Sequence, residues 1–184
     1  MIHTPFTSVL AGCLLLMATL VTPEVAWAQR DAGAKARGDL TFYARSGGSH
    51  MNAAHAHASH YHGYIRRTTS VSPHVARLSG SAINHHIDLA QQHLEGMREI
   101  FESADDKESL AAIGAIEKQI AEAKHHHAIA ESKARTSPED IAALQESVDQ
   151  LRVSLDKAIT AYGALLVKHE LADDEVTPQD APPK

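Results

Sequence analysis

Neutral imidazole is a preferred ligand for zinc, copper and nickel. This chain places imidazoles where a helical bundle ordinarily carries Leu or Ile. His86 and His93 fall within the apolar arc of one predicted helix, and His127 falls on the apolar seam of the next. At ~100° per residue, His86 has Ala82, Ile83, Leu89 and Ala90 a turn away, and His93 has Leu89, Ala90, Gly96 and Met97. His85 sits at the edge of that arc, beside Ser81 and Asp88. The run His125-His126-His127 fans over about 200° of a helix, so the three rings cannot converge on one ion. His126 and His127 are the pair directed to the seam. With a turn near residues 104–105, His86 faces Ala123 and His127 faces Ala82, an offset of about one turn or ~5 Å. The expectation is an inter-helix metal cluster of His86, His126 and His127, with His93 and His85 as auxiliary groups.

A second group of histidines lies nearer the N-terminus: His50, His55, His57, His60 and His62, with Met51 among them. His55-Ala-His57 and His60-Tyr-His62 are H-x-H pairs. In an extended chain alternate residues share a side, and His-rich tracts are a metal-binding composition. The pairs therefore predict labile sites for Cu(II), Ni(II) or Zn(II).

Other chemistry is weighed against this. A single histidine on a seam also serves as a hydrogen-bonded core residue or a register-setting polar residue. Two opposed histidines in a bundle can ligate haem b, with Ala82, Ala90, Gly96, Ala123 and Ala130 leaving room for the macrocycle, although aromatic residues to wall such a pocket are few. Glu122-x-x-His125 matches the di-iron element of helical bundles, but it occurs once and both residues point away from the seam. No Gly-rich phosphate loop or nucleophile elbow is present, and no residues recommend a Ser-His-Asp triad. The chain reads as a binding protein and not as an enzyme.

The elements that must position these rings are helices. Ser72-Pro73 provides an N-cap and a proline at the first helical position, and Asp105-x-x-Glu108 and Ser137-Pro138-Glu139-Asp140 are two further start signals. They predict helices over 73–103, 106–135 and 138–171. Each carries apolar residues at alternating spacings of three and four. The seams are Ala76, Gly80, Ile83, Ile87, Ala90, Leu94, Met97 and Phe101, then Ile113, Ile116, Ile120, Ala123, His127, Ala130 and Ala134, then Ile141, Leu144, Val148, Leu151, Leu155, Ala158, Tyr162, Leu165 and His169. Such seams pack as antiparallel coiled coils, and short turns make an all-α, up-down-up three-helix bundle. A thin bundle buries a modest core, which favours a homodimer. Residues 29–72 show no sustained apolar period and are rich in Ala, Gly, Ser, Arg and His, so a disordered arm is expected there. An acidic, proline-bearing tail is expected over 172–184.

Residues 1–28 read as a secretory signal. Val9–Val21 is almost wholly apolar but short for a span, and Ala26-Trp27-Ala28 resembles a cleavage site before Gln29. Leu10-Ala11-Gly12-Cys13 mimics a lipoprotein box, but its apolar run follows the cysteine instead of preceding it. Cys13 is the only cysteine. A processed chain would therefore have no disulfide, no thiolate metal site and no covalent c-type haem. The formal charge of −6 gives no support to a nucleic-acid partner. These features predict a periplasmic or secreted protein, not integral to a membrane once processed, that buffers, stores or carries Cu, Zn or Ni. The competing expectation is a structural or chaperone-like helical module of the cell envelope, and a third is a b-type haem protein.

Overall fold

The structure, a computed structural model, describes residues 23–171, with side chains from residue 33 onward. The expected acidic tail lies outside the described residues, as does the expected leader apart from its end at 23–28. The described residues form four α-helices and no strand: α1 Pro23–Ile65, α2 Pro73–Ser103, α3 Lys107–Thr136 and α4 Ile141–Lys168. The chain divides into two compact units, Met1–Ala34 and Lys35–Lys184, and the bundle belongs to the second. Among the described residues no helix is long and apolar enough to cross a membrane.

The count of four corrects the expected three-helix bundle. Residues expected to form a disordered arm are instead a long helix whose second half packs on the other three. Its buried positions are Ala44, Gly47, Met51, Ala54, Ala58, Tyr61 and Ile65, an unbroken alternation of three- and four-residue steps. The period is that of a coiled-coil seam, but it is written in Ala, Gly, Met and Tyr. Small residues let α1 lie close to its neighbours while leaving little hydrophobic contrast in the sequence.

For α2, α3 and α4 the expected seams are the buried faces. In α2 the buried residues are Ala76, Gly80, Ile83, Ile87, Ala90, Leu94, Met97 and Phe101. In α3 Ser109 joins the expected set. In α4 Ser147 and Ser154 are also buried, Ile141 is only half-buried, and His169 is the C-cap. Two helix starts differ from the sequence reading. α3 is capped by Asp106, whose side chain accepts from the Ser109 amide at 3.0 Å, because Asp105 has a positive φ of 51° and closes α2. α4 is capped by Asp140, which accepts from the Ala143 amide at 3.1 Å, while Ser137-Pro138-Glu139 forms the turn. α4 ends at Lys168 and not at 171. Glu170 takes a left-handed φ of 55° there, and the Leu171 amide returns to the Leu166 carbonyl at 2.9 Å, the closure of a Schellman motif.

α1 is tied to α4 by Tyr162. This buried phenol donates to the Ala44 carbonyl at 2.8 Å, and its ring fits over Gly47, where a Cβ would stand 2.5 Å from the hydroxyl. On the outer side Arg98–Glu117 and Lys124–Asp88 ion pairs join α2 to α3. Lys133 of α3 donates to the Ala143 carbonyl of α4.

Candidate metal centre

α1 runs antiparallel to α2 and brings a row of histidines against a second row. His50 and His57 are seven residues apart and immediately precede the buried Met51 and Ala58. His86 and His93 are likewise seven apart and precede the buried Ile87 and Leu94. Each pair therefore flanks its seam on one side, two turns apart. The rings interleave. His57 stacks on His86 with centroids 5.3 Å apart and 14° between planes, His86 lies 5.5 Å from His50, and His50 stacks on His93 at 5.4 Å and 3°. Phe42 and Tyr43 close the row beyond His93, at 5.8 and 6.0 Å. The result is a ladder of four half-buried imidazoles in the α1/α2 groove.

At the centre of the ladder His50 Nδ1 lies 3.2 Å from His86 Nδ1. Two nitrogens bound at ~2.0–2.1 Å to one tetrahedral ion stand roughly 3.3 Å apart, so this separation is close to the edge of a tetrahedral site. A neutral pair at this distance shares one N–H, and an ion would take its place with the donating ring's proton moved to Nε2. Burial, followed by the neighbouring rings of His57, His50 and His85, holds His86 below the ordinary histidine value. Burial and then His50 do the same for His93. Both shifts favour the neutral ring, which is the form that binds metal.

The other expected ligands lie elsewhere. His127 is buried on the α3 seam as expected, but its ring sits over Gly80 of α2, where a Cβ would stand 2.7 Å from Nε2. His126 pairs with the exposed His125 at 5.6 Å. His86 turns toward α1. The expected cluster of His86, His126 and His127 is therefore not assembled, and among the described residues no group of three or more His, Cys, Asp or Glu side chains is placed to hold an ion. His85 is exposed and touches only the edge of the ladder, 5.3 Å from His86.

The H-x-H pairs are also reassigned. On a helix, residues two apart diverge by about 200°, so His55 and His57 cannot share an ion, nor can His60 and His62. His57 faces α2, while His55 and His62 face α4. There His55 Nε2 lies 3.1 Å from Asp156 Oδ1 and His62 Nε2 lies 3.3 Å from Asp149 Oδ1. His60 is exposed. His50, named in the sequence only as part of the His-rich tract, is the central ligand candidate. The signal that marks it is the seven-residue spacing shared by His50/His57 and His86/His93.

Haem b does not fit these residues. The space at Gly96 is filled by the Tyr43 ring, where a Cβ would stand 2.7 Å away, and Ala90, Ala123 and Ala130 are packed in the core. Two axial nitrogens on one iron require roughly 4 Å between them at bonds of ~2 Å, more than the 3.2 Å of the His50–His86 pair.

A Ser, a His and an Asp do meet at the α2/α3 end. Ser109 Oγ donates to Asp106 Oδ2 at 2.7 Å and lies 2.7 Å from His169 Nε2, with Lys168 Nζ at 3.1 Å. The serine is wholly buried and gives its proton to the carboxylate, whereas a nucleophilic serine gives it to the imidazole. This network caps α3 and fastens the end of α4 to it. Its hydrogen bonds to Ser109, first from the amide and then from the hydroxyl, hold Asp106 down at about 2.

Buried His127 carries a pH prediction. Desolvation lowers its pKa, opposed by Glu131, so the unfolded chain takes up the proton first. Stability is then level above the ordinary histidine value of about 6.5 and falls as pH drops from there toward the lowered folded value. In urea unfolding at pH 7.5 and 5.5, His127→Gln should lose less stability between the two than the native chain. An equal loss in both would show that His127 does not contribute.

Comparison with protein-family models, curated proteins and solved structures finds no match to this chain, so the functional reading is carried by the ladder itself.

Proposed function

We propose that this is an exported protein that buffers or carries zinc, copper or nickel, binding the ion between His50 and His86. The observation that carries the reading is the 3.2 Å separation of the two Nδ1 atoms inside a ladder where burial holds His86 and His93 below the ordinary histidine value. His93 stacks on His50 and His57 on His86, which fixes the planes of the two ligand rings. Two protein ligands leave two tetrahedral positions to water. Structural zinc sites are closed by four ligands, so an open pair suits an ion that must leave again. Imidazole donors suit Zn, Cu and Ni over Mg or Ca. The apolar run and the Ala26-Trp27-Ala28 motif support export, with a periplasmic or extracellular destination.

The test is calorimetric titration with Zn(II) and Cu(II). The native chain should bind at micromolar concentration. The double variant His50→Ala/His86→Ala should lose one bound ion per chain, while His60→Ala, which removes an exposed ring from the same helix, should lose none. Absence of binding by the native chain, or unchanged uptake by the double variant, contradicts the proposal. Helical circular dichroism of each variant confirms that the bundle is retained.

A further inference from the structure

The opposite flank of α1 carries different chemistry. His55 and His62 are seven residues apart, like the ladder pairs, but they meet carboxylates of α4 instead of imidazoles. The two contacts are not equivalent. Asp149 is already engaged by Arg152, whose Nη1 donates to the same Oδ1 at 3.2 Å while its Nε donates to Ser59 Oγ at 3.1 Å. Among the described residues Asp156 has His55 alone as its ion-pair partner. His55 Nε2 is buried from solvent and makes no hydrogen bond, although Asp156 Oδ1 stands only 3.1 Å away. Distance permits a hydrogen bond there and direction does not. A buried imidazole nitrogen without a hydrogen bond is costly, and it calls for a partner that the carboxylate does not provide.

We infer that His55 and Asp156 form a second divalent-cation site on the α1/α4 face, separate from the ladder and with a mixed imidazole–carboxylate donor set that suits Zn(II). Zinc accepts both donor types, at ~2.0–2.1 Å for His nitrogen and ~2.0–2.2 Å for carboxylate oxygen. Ligands at those distances around a tetrahedral ion stand roughly 3.3–3.5 Å apart, slightly beyond the present 3.1 Å, so a small side-chain adjustment admits the ion. Asp156 is well exposed, with 59% of its side-chain surface accessible, and provides the route of entry. The carboxylate also brings a negative charge that the ladder lacks, which strengthens the attraction of a divalent cation. At the neighbouring His62–Asp149 contact the Arg152 guanidinium holds the place a cation would take.

The site does not depend on the ladder, and one set of variants separates the two. In the His50→Ala/His86→Ala background, calorimetric titration with Zn(II) should still show one bound ion per chain. Adding Asp156→Asn, which keeps the shape and removes the anionic donor, should weaken that binding by about 10-fold or more. Asp149→Asn should leave it unchanged. Zn(II) should also shift the ring nitrogen resonances of His55 and not those of His60. No zinc uptake by the ladder double variant overturns the inference and leaves the ladder standing. Full uptake retained in that double variant but lost with Asp156→Asn overturns the ladder and leaves this site standing. Binding indifferent to Asp156→Asn also overturns the inference.

Discussion

Tyr162→Ala should destabilise the bundle by about 3–5 kcal/mol, the cost of deleting a large buried aromatic side chain. Tyr162 is among the largest fully buried side chains, and it joins α4 to the backbone of α1 through the Ala44 and Tyr43 carbonyls. Its ring fills the space left by Gly47, so alanine opens a cavity at the α1/α4 contact that neither helix can close by itself. Tyr162→Phe keeps the ring and removes only the hydroxyl, and should cost about 1 kcal/mol. Urea unfolding followed by circular dichroism measures both. A cost for Tyr162→Ala under about 1 kcal/mol would mean that α1 does not form part of the cooperative unit, and the ladder it builds with α2 would lose its support.

Zinc should stabilise the Asp156→Asn chain, which keeps only the ladder site, and adding His50→Ala/His86→Ala should remove most of that effect. An ion that binds only the folded state stabilises it by about 2.7 kcal/mol at a free concentration 100 times its dissociation constant. The unfolded chain also carries many imidazoles, and metal binding to them reduces the gain. The sign nevertheless stays positive, because folding places His50 and His86 at ligating separation before the ion arrives. The effect should fade as pH falls below about 6.5, where protons compete for imidazole nitrogen. The lowered value of His86, set first by burial and then by its imidazole neighbours, delays that competition to more acid pH than a free histidine would show. Thermal melting at pH 7.5 and 5.5, with and without zinc and after addition of chelator, reads all of this. Stabilisation of equal size after His50→Ala/His86→Ala is added would place the ion elsewhere.

The three C-terminal helices were legible because their seams are built of Ile, Leu, Val, Met and Phe, whose hydrophobic contrast with the outer faces reveals the period. α1 obeys the same period at Ala44, Gly47, Met51, Ala54, Ala58, Tyr61 and Ile65. There the small residues, together with Gly48 and the polar residues between them, give the composition of a flexible segment. What favours helix in that stretch is tertiary: Tyr162 seats on Gly47 and Tyr43 seats on Gly96, contacts that no local window contains. The same omission explains the candidate site. His86 and His93 were recognised as inward-leaning rings, but without α1 the only neighbour available to His86 was α3, hence the expected pairing with His126 and His127. His127 sits over Gly80 of α2, within one turn of the Ala82 expected from the register. With α1 in place His86 meets His50 instead. His55 and His57 show the related error at short range, because an H-x-H pair that converges on an extended strand diverges on a helix.

The same bundle thus presents two flanks of one helix with contrasting chemistry. Toward α2 imidazole meets imidazole, and toward α4 imidazole meets carboxylate. Positively charged rings would repel one another in the first row and attract their partners in the second. A divalent ion, which attracts every donor, is the occupant proposed for both.

X-ray absorption at the zinc edge reads whether His50 and His86 share one ion. Asp156→Asn protein loaded with one equivalent of Zn(II) should show two imidazole nitrogens at ~2.0–2.1 Å, with the remaining shell made up by water oxygen. A shell with one imidazole or none, or a spectrum that His50→Ala/His86→Ala leaves unchanged, would contradict that sharing.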